Sequence, residues 1–206
     1  MVTSFAKCVR MVALASLVLF MCEVADAEMA RYEIDPEHTT IGFSAGHMMV
    51  SQVQGQFMVF DGFIEMDPEA KSVKTIEATI KTWSVNTNHH KRDAHLRSPD
   101  FFDVEKYPTM TFKLTSYQKT GEHYTAVGDL TLHGVTKPVT LVGNLIGVTK
   151  DPMGNIRAGF SGEGKINRRD FNVNFSAVLD NGGMIVSDEI VIKINTECIK
   201  VKAGSP

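Results

Sequence analysis

Cysteine is scarce in this chain. There are three, and Cys8 and Cys22 fall in an N-terminal stretch with the marks of a removable leader. Cys198 is then left alone, and no intramolecular disulfide can form. The fold has to hold by packing. A run long enough to span a bilayer is missing too: the apolar run Met11–Met21 is eleven residues long, against the roughly 20 that a spanning helix needs. Positive charge is not in excess. The formal net charge is −3, and no basic stripe stands out, so nucleic acid is not an expected partner. Zinc signatures with paired ligands are absent, and no metal or cofactor is expected. Ser, His and Asp residues occur, but none in a recognisable catalytic arrangement. No nucleophile elbow or carboxylate pair is expected, and an enzyme is not predicted.

The N-terminus carries positive signals. Lys7 and Arg10 precede the apolar run, and Ala25-Asp26-Ala27 supplies small residues at a cleavage site. This predicts a secretory signal peptide over 1–27 and a mature single domain over 28–206, with no transmembrane span, exported to the periplasm of a bacterium. Leu19-Phe20-Met21 before Cys22 is too bulky for a lipoprotein site.

Beyond the leader, apolar and polar residues alternate. In Thr75–Lys81, Ile76, Ala78 and Ile80 share one face, and in Thr109–Thr115, Met110, Phe112 and Leu114 do. A period of two makes half-buried strands. Strands are predicted at Tyr32–Ile34, Thr39–Gly46, Gly55–Glu65, Val73–Trp83, Thr109–Tyr117, Tyr124–His133, Val139–Val148, Arg157–Ile166, Phe171–Leu179 and Val186–Glu197. Gly134–Lys137 reads as a hairpin connection before Pro138, and the glycines Gly128, Gly143, Gly147, Gly162 and Gly164 read as bends. The fold class is all-β: an antiparallel meander of about eight strands, closed into a barrel. A sandwich fits the same pattern.

Two segments break the alternation. Asn86–Arg97 is polar and predicts a short helix capped by Asn86 or Asn88, with a further helical turn at Ser98–Phe102. This insertion is expected over one end of the sheet. Asn167–Asp170 is a charged turn.

Phe43, Phe57, Ile80, Phe112, Leu132, Leu141, Phe160 and Ile192 are assigned to the inward wall. They fill a core or line a container, and periodicity does not choose between these. His47 continues the face of Ile41, Phe43 and Ala45. With Arg92, Arg168 and Arg169 it is a candidate for a polar head group, because an arginine fork suits phosphate. The bland alternative pairs Arg92 with Asp93 and Arg169 with Asp170.

The blocks Asp35-Pro36-Glu37-His38-Thr39-Thr40-Ile41-Gly42-Phe43, Arg92–Asp103, Tyr107–Phe112, Gly128–Val139 and Arg169-Asp170-Phe171 occur in order along nearly all of the mature chain. With them the sequence resembles the YceI-like family of exported polyisoprenoid-binding proteins. The resemblance implies an extended, lipocalin-like β-barrel that holds a long isoprenoid lipid in its pore, with homodimers common. It tips the wall toward a container. A polyprenyl phosphate or an isoprenoid quinone is the expected ligand. Two other readings are a lipid-modifying hydrolase or isomerase at the barrel mouth, built on His47, Asp93 and His95, and a stress-induced interaction protein that uses an exposed barrel edge.

Overall fold

The computed structural model describes residues 29–177 and 185–202. The expected leader at 1–27 lies outside them. The strands are β1 Ala30–Ile34, β2 Thr40–His47, β3 Ser51–Phe57, β4 Phe60–Asp67, β5 Ser72–Lys81, β6 Val85–Asn86, β7 Thr109–Thr120, β8 His123–Leu132, β9 Val135–Lys150, β10 Ile156–Asn167 and β11 Val186–Lys200. A single α-helix among the described residues, α1, covers His90–Arg97.

Every ladder is antiparallel. The order β1-β4-β5-β7-β8-β9-β10-β11 returns to β1, which closes a barrel of eight strands. The three remaining strands extend existing positions. β2 pairs with β11 over Val186–Asn195, and β1 pairs with it over Cys198–Lys200, so both lie along one edge of β11. The 3-10 turn Pro36–His38 bends the chain between them. β3 and β4 likewise share one position, interrupted at Met58-Val59, and β6 continues β5. The expected single strand Gly55–Glu65 is therefore two, because the wall bends there.

The bending needs close approaches. At Gly143 a Cβ would run into the Ser161 carbonyl of β10, and at Gly128 into the Phe112 ring of β7. Only glycine allows such contact. Gly147, expected to serve the same end, has open space beside it.

Three other expectations need correction. β8 and β9 are joined by His133-Gly134 alone, at φ of 50° and 75°, the backbone of a tight hairpin. Pro138 consequently lies inside β9, opposite Asp129. It is tolerated because β10 stops pairing with β9 at Leu141, and no donor is needed beyond. The α1 cap is His89, whose Nδ1 accepts from the Arg92 N–H. Asn86 instead accepts from the Asn88 N–H, and Asn88 is left-handed at φ 59°. Residues 98–102 form turns and no helix.

The expected strand Phe171–Leu179 does not form over its described part. Arg168–Phe171 is a 3-10 turn, capped by Asn167 and ended by left-handed Asn172. The buried Arg168 guanidinium takes the carbonyls of Val173 and Ser187, so Val173 is held to a side chain and not to a ladder. Residues 178 and 179 lie outside the described residues.

One end of the barrel is filled. Tyr32, Met66, Ala158 and Cys198 are 0% exposed there. Burial pushes the Cys198 thiol up to about 11. Beside them Arg157 joins Asp35, Asp151 and Glu197, which ties the β1–β2 junction, the β9–β10 turn and β11 together.

Candidate functional site

From that filled end the interior opens into a cavity of about 230 Å³. On β11 its wall runs through Val186, Ile190, Ile192, Ile194 and Thr196. That is a length of about 30 Å at roughly 3.3 Å per residue. The space is thus long and narrow. Alternation explains the wall: β5 contributes Ile76, Ala78 and Ile80, and β2 contributes Ile41, Phe43 and Ala45. All eight residues assigned to the wall face this cavity, Phe43, Phe57, Ile80 and Phe112 as well as Leu132, Leu141, Phe160 and Ile192.

The α1 insertion covers the end opposite the filled one. Leu96, Phe101 and Phe102 complete the wall there. The Phe102 ring meets Phe57 edge-on, 5.6 Å between centroids. Sequence periodicity does not find these three, since they stand outside any strand. The Ser98–Phe102 block marks the place but not the direction.

Polar groups in the wall are few, and most of them have partners in the protein. Thr39 and Thr196 share a hydroxyl–hydroxyl bond of 3.0 Å. The Tyr124 hydroxyl donates to the Ser161 carbonyl at 2.7 Å. Burial, with Tyr117 stacked alongside, pushes the Tyr124 phenol up to about 12. A ligand inside meets mostly hydrocarbon, with the Tyr117 phenol and the Arg168 guanidinium among the few polar groups. Beyond the wall, the buried Tyr32 hydroxyl has no hydrogen-bond partner.

The four head-group candidates separate. Arg168 reaches the wall and is 3% exposed. It donates to the carbonyls of Ser187 and Val173 and to Asp188 Oδ1. Burial lowers its affinity for the proton. Arg169 points outward and binds Asp188 at 2.8 Å, not Asp170. Arg92 bonds the Thr87 hydroxyl and carbonyl, and Asp93 accepts from Thr87 as well, so Arg92 and Asp93 meet Thr87 and not each other. His47 pairs with Ser51 and Val186 and is not among the wall residues. β2 stays in even register with β3 through His47↔Ser51, so His47 keeps the face of Ala45 but lies past Ala45, the last β2 residue of the wall.

The suspects for catalysis also have separate partners. His95 Nε2 lies 2.8 Å from Asp100, and its ring stands edge-on to Phe101 and Phe175. Asp93 is held by Thr87. One motif does match the pattern of a catalytic site. Gly42-Phe43-Ser44-Ala45-Gly46 spells the Gly-X-Ser-X-Gly of a nucleophile elbow. It lies wholly inside β2, with Ser44 laddered to Val191 and Gln54. The chemistry needs a strand-to-helix turn, and none is there. Asp35, Glu37 and His38 cluster within 4.8 Å, the spacing of a metal site. The Arg157 guanidinium and His38 already occupy Asp35 Oδ2. No described helix is long and apolar enough to cross a membrane.

Comparison with known proteins agrees with this geometry. A family model described as a YceI-like domain matches residues 32–198. The protein YceI of Escherichia coli O157:H7 is 46% identical over 155 residues, 74% of this chain and 81% of that one. The crystal structure of the Campylobacter jejuni YceI protein superposes with a TM-score of 0.68 at 36% identity, over 76% of this chain and 90% of that one. A polyisoprenoid binding domain from Saccharophagus degradans, implicated in plant cell wall breakdown, shares the fold with a TM-score of 0.63. It is 16% identical and is covered over 98% of its length, against 82% of this chain. With its eight-stranded barrel, its helical cover and these relatives along its length, the chain belongs to the YceI-like domain family.

Proposed function

We propose that this protein is a periplasmic carrier that holds a long isoprenoid lipid in the barrel. A polyprenyl phosphate and an isoprenoid quinone are both of the right chemistry. One observation carries the reading: a cavity about 30 Å long at the strand rise, lined almost wholly by hydrocarbon, most of whose few polar groups are bonded within the protein. Such a wall rewards burial of an extended apolar chain and asks nothing of it in hydrogen bonds. The polyisoprenoid binding named for the Saccharophagus degradans domain supports the same ligand class. The signal peptide expected at 1–27 supports the compartment.

The energetics are sufficient when the wall is pre-formed. A tail burying about 500 Å² gains roughly 12 kcal/mol at about 25 cal/mol per Å². Association costs about 4–15 kcal/mol, more when groups must be ordered. A closed barrel keeps that cost near its lower end. Of the four head-group candidates, Arg168 is the one on the wall, so we assign it the polar end of the lipid. His47, Arg92 and Arg169 act there only from outside the cavity. Binding involves no bond making or breaking.

Native mass spectrometry with solvent extraction tests the proposal. A co-purifying isoprenoid amphiphile, or uptake of an added prenyl lipid at one per chain, is expected. A chain that stays empty in both experiments overturns it.

A further inference from the structure

The hairpin of β2 and β3 is unlike the rest of the surface. From Thr39 to Phe60 the chain has no Asp, Glu, Lys or Arg, although these make up 22% of all residues. The outward residues of β3, Gln52, Gln54 and Gln56, are neutral. At the tip, Met48, Met49 and Val50 are 40%, 80% and 84% exposed. Met48 and Met49 also adopt left-handed φ values of 52° and 61°. A hairpin turn of this kind favours Asn-Gly, which takes that backbone with little strain. Methionine there is strained, and it also leaves apolar surface in water. Two unfavourable choices at one tip, with Met49 and Val50 largely in solvent, point to a gain outside the fold.

The tip is fixed where it would be useful. Met48 N–H donates to the Ile185 carbonyl, and Val50 N–H to His47. Ala45 on β2 and Val186 and Arg168 opposite line the cavity at this same end. We propose that Met48, Met49 and Val50 enter the apolar layer of a lipid bilayer and seat the cavity mouth against the membrane. The lack of charge favours this occupant, because every charge carried into the interface would have to be desolvated. Size favours it also. A stable interface between two copies needs about 1,000 Å² or more. A convex tip of three side chains does not bury that against a rigid partner, whereas a fluid acyl layer closes around it. The glutamines above the tip then lie at the level of the head groups. The purpose of the contact, loading and unloading of a lipid, rests on the carrier reading above.

The test uses the full chain and flotation with vesicles of phosphatidylethanolamine and phosphatidylglycerol, at low and high salt. The wild type is expected to float with the vesicles at both. The double variant Met48→Asn, Met49→Gly is expected to bind about tenfold or more weakly. Its thermal midpoint should be unchanged or higher, since the turn is relieved. Its uptake of a prenyl lipid presented in detergent should equal that of the wild type. Absence of wild-type flotation overturns the proposal, as does equal flotation of the variant or binding that high salt abolishes. A change of oligomeric state in the variant without vesicle binding assigns the tip to a second copy and overturns it as well. Failure of detergent-presented loading in the wild type counts against the carrier reading alone.

Discussion

Arg157 gathers more charge than any other described side chain. Its guanidinium bonds Asp35, Asp151 and Glu197 from the β10 side of the filled end. The hydrogen bond from Arg157 holds the Asp151 carboxyl well below the usual carboxylate range. Its folded-state pKa is thus lower than its unfolded one. The stabilisation is complete above about pH 4 and is lost as the pH falls below that. Asp35 acts in the same direction: burial works to raise its pKa, but hydrogen bonds from His38, Arg157 and the Glu37 N–H outweigh it. The melting temperature, followed by circular dichroism from pH 6 to pH 2.5, is expected to fall on the acid side. Asp151→Asn should lower it at pH 6 and flatten the acid slope. An unchanged slope in that variant would remove Asp151 from the account.

At the scale of elements, the regular strands were legible and their interruptions were not. Alternation located the wall because a strand facing a cavity and a strand facing a core obey the same period. It failed at Phe171-Asn172-Val173-Asn174-Phe175, which alternates but forms no ladder, since a buried arginine claims the Val173 carbonyl. At His47 the period holds but the wall stops at Ala45, because where a cavity ends depends on the whole end of the barrel and leaves no mark in one strand. The break at Met58-Val59 was hidden because its neighbours are apolar on both sides. The insertion was legible as a helix over one end, but not as part of the wall. Leu96 and Phe102 make it so, and this has a kinetic consequence. Leu96→Ala with Phe102→Ala removes side chains that are only partly buried, so the barrel should remain folded. Release of a loaded prenyl lipid, measured by transfer to acceptor vesicles, should quicken by about tenfold, corresponding to about 1.4 kcal/mol. An unchanged release rate would mean that the insertion does not gate the cavity.

Taken whole, the molecule is closed by a short seam. β1 meets β11 through Tyr32↔Lys200, Glu33↔Ile199 and Ile34↔Cys198, which joins the two ends of the described chain. Closure brings together residues far apart in sequence and removes the free edges of the sheet. Removing residues 198–206 deletes this seam and the buried Cys198. The thermal transition is then expected to drop by about 10 °C or more, or to lose its cooperativity. Retention of the wild-type midpoint would show that β4, β10 and the Arg157 cluster suffice to hold the barrel shut.

The filled end makes the cavity a blind tube. Whatever enters must come out by the same opening, in reverse order; under the carrier function proposed above, a lipid would go in tail first and leave head first. Ile34, Ile64 and Val73 line the wall at that end, next to the filled-end residues Tyr32 and Met66. A tube with a floor measures what it holds: a tail shorter than the floor allows leaves apolar wall uncovered, and a longer one leaves its last units in water. For the proposed lipid the barrel would in this sense be a ruler, and the residues at its floor would act on selectivity without ever meeting the head group.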